Sequence, residues 1–212
     1  MGLNAKVSAL AVSGTDIYVG GSFKGTGAGG SAVPGLNCIA KWNGSAWSGL
    51  GSGLNDEVNT IVVSGTNLYV GGKFTGVGTG GTAVTGLNCI AKWNGSGWSA
   101  LGSGLIYVQI PSFGNVMALA VSGTDIYVGG SFTGVGAGGT AVPGLNHIAK
   151  WNGVAWSALG SGLNQFVNAL AVSGTDIYAG GQFTGVGSGG TPVSGLNYVT
   201  KWNGTSWSAL GS

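Results

Sequence analysis

The chain has 212 residues, 47 of them Gly, and 6% of it is charged: seven Lys, five Asp or Glu and a net charge of +2, with one His. An apolar share of 43%, with eight Trp, six Tyr and six Phe, is enough to fill a sizeable core and excludes a disordered tail. The seven Lys are spread along the chain, so no basic stripe argues for nucleic acid or an anionic membrane, and few groups remain for acid–base work, metal ligation or phosphate contacts.

From the N-terminus the period is that of strands. Val7 to Ser13 and Asp16 to Phe23 are runs rich in β-branched and aromatic residues, joined at Gly14-Thr15, and they predict a hairpin. A Gly-rich stretch follows, from Gly25 to Asn37. Cys38 to Trp42 and Trp47 to Leu50 then flank Asn43-Gly44, the strongest short hairpin signal in the chain. No window shows a helical stripe, and so much Gly penalises any helix.

The same four-strand order recurs. Lys-Trp-Asn-Gly returns at Lys41, Lys92, Lys150 and Lys201, and units 2–52, 53–103, 104–161 and 162–212 each open on Gly-Leu and close on Leu-Gly-Ser. Four whole units after one Met are the expected pattern of an excised or engineered array. The third unit alone carries an insertion, seven residues long, within Ile106 to Gly114.

A four-stranded meander cannot bury both faces alone, whereas copies arranged radially can, so the expected fold is all-β: a β-propeller of four-stranded antiparallel blades, four per chain. The repeats resemble kelch blades at three points over the whole chain. These are the double glycines Gly20-Gly21, Gly71-Gly72, Gly129-Gly130 and Gly180-Gly181; an aromatic in the third strand, at Trp42, Trp93, Trp151 and Trp202; and a fourth-strand Trp at Trp47, Trp98, Trp156 and Trp207. Kelch repeats usually place Tyr in the third strand. The departure to Trp looks closer to kelch-like repeats of bacterial surface proteins and fungal cortical polarity proteins, and neither resemblance carries a catalytic motif.

The resembled strand order puts the long Gly-rich loops and the unit connections on one face, the top, where propellers often bind ligands. The loops at Gly25 to Gly30, Gly76 to Gly81, Gly134 to Gly139 and Gly185 to Gly190 precede no helix and hold no acidic side chains, so the expectation is tight connections rather than a phosphate or calcium site. Cys38, Cys89, His147 and Tyr198 occupy one repeated position. A blade spacing of roughly 10 Å separates them too far for Zn-S bonds of ~2.3 Å or for a disulfide, whose Cα atoms lie within about 7 Å. They read as tolerated variation at a half-exposed site. Lys41, Lys150 and Lys201 are expected to reach Asp16, Asp125 and Asp176 across the lower end of each blade, a structural pairing rather than a catalytic one.

The insertion is the asymmetric feature. Tyr107 and Phe113 on it, with His147 and Phe166 nearby, form a candidate ligand-binding surface for an unidentified protein or glycan; the plain alternative is a lid folded over the channel. No catalytic, metal or cofactor residues can be nominated. The apolar run Val7 to Val12 repeats inside the chain at Val116 to Val121 and Val167 to Val172, so it is a strand rather than a secretory leader, and no stretch reaches the ~18 residues of a membrane span. The compartment stays open, a cell-surface parent being one setting.

Four blades close as a small ring or remain a half ring with two apolar end faces. Rings of the resembled type more often hold about six to eight blades. Burial of both ends at about 25 cal/mol per Å² then favours two copies making eight blades, with a monomeric four-bladed ring as the alternative. The expected function is a self-assembling scaffold; the other classes are a binding module at the top loops and an enzyme, which the lack of a ligand cluster disfavours.

Overall fold

A computed structural model describes residues 2–27, 33–106, 114–136 and 140–211. The expected hairpins form. The first sheet holds β1 (Val7–Ser13), β2 (Asp16–Gly21), β3 (Ile39–Trp42) and β4 (Trp47–Ser48), and the second holds β5 (Val58–Ser64), β6 (Asn67–Gly72), β7 (Ile90–Trp93) and β8 (Trp98–Ser99). The third and fourth repeats give β9 (Leu105–Ile106), β10 (Val116–Ser122), β11 (Asp125–Gly130), β12 (Gly134–Val135), β13 (Thr140–Ala141), β14 (Ile148–Trp151), β15 (Trp156–Ser157), β16 (Val167–Ser173), β17 (Asp176–Gly181), β18 (Val199–Trp202) and β19 (Trp207–Ser208). The third sheet runs β10-β11-β14-β15 and the fourth β16-β17-β18-β19, every neighbour antiparallel. These meanders are the blades of a β-propeller, four in the chain.

Local chemistry fixes each blade. Register pairs Leu10 with Val19 and Trp42 with Trp47, so the two Trp rings meet at 5.1 Å. The connection between β3 and β4 is longer than a two-residue Asn-Gly turn: Asn43 to Ala46 forms a four-residue loop. The Asn43 side-chain oxygen accepts from the backbone N–H of Ser45 and Ala46 at 3.0 and 2.8 Å. The Asn is therefore selected as an acceptor that organises the loop, and Gly44, at φ 94°, supplies the left-handed backbone.

The double glycine has a steric cause. β1 bulges between Val7 and Ala9, which brings the Lys6 carbonyl onto Gly21, where a Cβ would overlap it. Gly72, Gly130 and Gly181 meet the carbonyls of Glu57, Asn115 and Phe166 in the same way. The other glycine of the pair serves packing between sheets. A Cβ on Gly20 would overlap a methyl of Val58 on the next sheet, and one on Gly129 would overlap Val167.

Two differences from the sequence expectation stand out. The fourth strand pairs over two residues rather than four, because the chain turns at Leu50, whose carbonyl accepts from the Gly53 N–H at 3.0 Å. The Gly-rich loops also pair: β9, β12 and β13 form a small three-stranded sheet, and Leu3–Thr26, Leu54–Val77–Thr82 and Leu163–Val186–Thr191 are its bridge-sized equivalents. Asn4, Asn55 and Asn164 hold this ribbon by accepting from two successive backbone N–H groups each, at 2.9 to 3.1 Å.

Compact unit 1–100 contains the first two sheets and unit 101–212 the remaining ones. In the first unit Cys38, Ile39 and Leu50 are buried against Val58, Ile61 and Leu68. In the second, Ile148 and Leu159 are buried against Val167, Ile177, Trp202 and Trp207.

Candidate interaction surfaces

The seam between adjacent blades is built the same way in both units. One side is small and flat, Ala9, Ala11 and Tyr18 with Cys38, Ile39 and Leu50; the other projects, with Val58, Ile61, Leu68, Trp93 and Trp98. The Trp98 indole N–H donates to the Leu50 carbonyl at 2.9 Å. In the second unit Trp156 and Trp207 donate to Leu101 and Leu159 at the same distance. A partly buried donor and acceptor are thus satisfied across a mostly apolar seam. Glu57 adds charge at one edge, accepting from Lys6 at 2.9 Å and Lys73 at 3.1 Å, and Lys6 chiefly holds its carboxyl below the ordinary range. Within blades the expected pairs are present: Lys41–Asp16, Lys150–Asp125 and Lys201–Asp176 at 3.0 to 3.1 Å.

The repeated position at the head of the third strand is not half-exposed in the first three blades. Cys38, Cys89 and His147 are buried, and Tyr198 alone is exposed, at 62%. All four residues take φ between 59° and 62°. Each backbone is clamped: Cys38 N–H donates to the Phe23 carbonyl at 2.8 Å and its own carbonyl accepts from Gly21 at 2.9 Å. Burial pushes the Cys38 thiol up to about 11 and the Cys89 thiol up to about 12. His147 stands edge-on to Phe166, ring centroids 5.4 Å apart, and its Nδ1 has no hydrogen-bond partner. Burial lowers its pKa to about 4, against a raising hydrogen bond with the Gly130 backbone. The other two candidate binding residues, Tyr107 and Phe113, lie outside the described residues. Among the described residues no three His, Cys, Asp or Glu gather into a metal-sized group, and no helix is long and apolar enough to cross a membrane.

Among the described residues, the first and fourth sheets each leave apolar residues exposed. On the first sheet Val7, Leu10, Val12 and Ile17 are exposed, Leu10 to 65% and Val12 to 67%. Leu10, Ile17, Val19, Trp42 and Trp47 line an open groove of about 410 Å³ on this face. On the fourth sheet Ala169 and Ala171 are exposed, as are Tyr198, Val199 and Leu210.

The chain shares its fold with designed proteins. It is similar to the computationally designed Ika4 protein, with a TM-score of 0.52 at 15% identity over 95% of this chain and 92% of that one. The computationally designed Ika8 protein matches with a TM-score of 0.51 at 17% identity, over 95% of this chain and 47% of that one. No family model matches the sequence. An alignment of 131 residues at 34% identity relates it to the polarized growth protein L1 of a Phoma species, taking in 56% of this chain and spanning 9% of that protein's length.

Sequence reasoning missed the indole-to-carbonyl tie and the positive φ at the third-strand head. The first was accessible in principle, because Trp98 and Leu50 recur at a fixed spacing in repeats that must touch. The second has little signal in residue type: His is enriched in left-handed backbone, but Cys and Tyr, which fill the other three copies, are not.

Proposed function

We propose that the chain is a non-enzymatic, kelch-like propeller scaffold that completes itself by self-association, two copies closing an eight-bladed ring. One observation carries the reading: both end faces are apolar and open, and each matches one side of the seams already built inside the units. Leaving Leu10, Val12, Ile17 and Leu210 in water forgoes burial worth about 25 cal/mol per Å². The match to Ika8 over 47% of that chain agrees with a half-length array. A non-enzymatic role is supported by the state of the nucleophiles: both thiols are buried and held protonated at neutral pH, and Lys41, Lys150 and Lys201 are tied to carboxylates.

A second reading, a module that takes a protein or glycan at the top loops, draws on the edge-on pair of His147 and Phe166. Ring closure is tested by mass. Light scattering or sedimentation is expected to give twice the 20.7 kDa of the chain. A single-chain mass supports instead a four-bladed ring and overturns the dimer.

A further inference from the structure

The two open faces carry more than apolar area; they carry the two halves of one steric lock. In the first unit Gly20 lies under Val58, so closely that a Cβ on the glycine would overlap a valine methyl. In the second unit Gly129 lies under Val167 in the same way. By repeat position Gly180 is the corresponding glycine of the fourth sheet, and Val7 is the corresponding valine of the first. Both are vacant. A Cβ on Gly180 would have its nearest neighbours at 3.8 Å, and Val7, unlike the fully buried Val58 and Val167, is 43% exposed. Around this pair the faces correspond as well: exposed Ala169 and Ala171 repeat Ala9 and Ala11, and exposed Leu10 repeats the buried Ile61 that packs with them.

We propose that the partner at both end faces is a second copy of this chain, received head to tail in a single register, with Val7 of one copy seated over Gly180 of the other. The proposal rests on the self-association reading and adds its register and polarity. The contact is heterologous, first sheet to fourth sheet, and it occurs twice about a two-fold axis, which covers both of these exposed faces in each copy. A like-to-like contact is disfavoured by shape: first sheet on first sheet sets projecting Leu10 and Val12 against each other, and fourth on fourth sets alanines against alanines.

Gly180 does not have a positive φ, so Gly180→Ala is compatible with the free chain while placing a methyl where the Val7 side chain must go. Sedimentation equilibrium of wild type, Gly180→Ala and Gly180→Ala/Val7→Ala reads the register. The single variant is expected to keep the wild-type circular dichroism and to raise the dimer dissociation constant by about tenfold or more, and the double variant to recover part of that loss. Val7→Trp, which overfills the same space from an exposed position, is expected to weaken the dimer likewise and serves if Gly180→Ala misfolds. A dimeric wild type whose dissociation constant is unchanged by these variants overturns the register and leaves self-association standing. A monomeric wild type overturns both.

Discussion

Cys38, Cys89, His147 and Tyr198 hold one backbone conformation with four different side chains, which identifies the backbone as what is being built there. A non-glycine residue with φ near 60° costs of order 1 kcal/mol, and the two hydrogen bonds that clamp each position offset it. The side chain is then free to vary with its surroundings. At His147 those surroundings have a pH consequence. The folded pKa, about 4, is below the unfolded value of 6.5, so the unfolded chain binds the proton first and stability falls as pH drops from 6.5 toward 4. The expected slope is about 1.4 kcal/mol per pH unit in that window, read from urea midpoints, and His147→Gln is expected to flatten it. Glu57 acts lower: its pKa is depressed below the ordinary 4.5, so its contribution is present above that value and lost as pH falls through the folded pKa. At this scale sequence reasoning paired each Lys with its Asp correctly, because both recur at fixed places on the neighbouring second and third strands of a blade. It misjudged the burial of Cys38, Cys89 and His147; Cys38 packs in one cluster with Val58, Ile61 and Leu68 of the next sheet, a neighbour that residue type does not reveal.

The first strand of each blade was the most legible element. Val7–Ser13 and its three counterparts follow from short Val-containing apolar runs ended by Gly. The bulge in β1 was not legible, although its imprint was: the second glycine of each pair exists because a carbonyl lies where its Cβ would be. Gly21→Ala is therefore expected to destabilise by about 2–3 kcal/mol or more through backbone displacement. Gly97→Ala, on a loop with open space around it and no positive φ, is expected to stay within about 0.5 kcal/mol of wild type in the same denaturation assay. The contrast separates steric need from glycine's general abundance. The small sheet β9-β12-β13 escaped notice because its pairs are two residues long, too short for any period to show.

For the whole molecule, repeat count was plain from the sequence, while the state of the ends required surfaces. The alternation of Leu10 and Val12 with Ala9 and Ala11 does not say which side of the strand a neighbour covers; in the first blade the larger residues are the exposed ones. The candidate ligand surface was the least legible, since half of it, Tyr107 and Phe113, sits on an insertion that no other repeat informs. If the uncovered faces are met by a second copy, the folded state is linked to association. The melting temperature is then expected to rise with protein concentration in calorimetry, and a concentration-independent melt counts against the linkage.

The indole of Trp98 reaching back to Leu50, repeated by Trp207 and Leu159, means that each module recognises its predecessor by the same handshake. Adding or removing a whole module would leave the remaining ties chemically unchanged, because each uses the same donor and acceptor. Lengthening the array then requires no new kind of contact, only another copy of the indole-to-carbonyl tie.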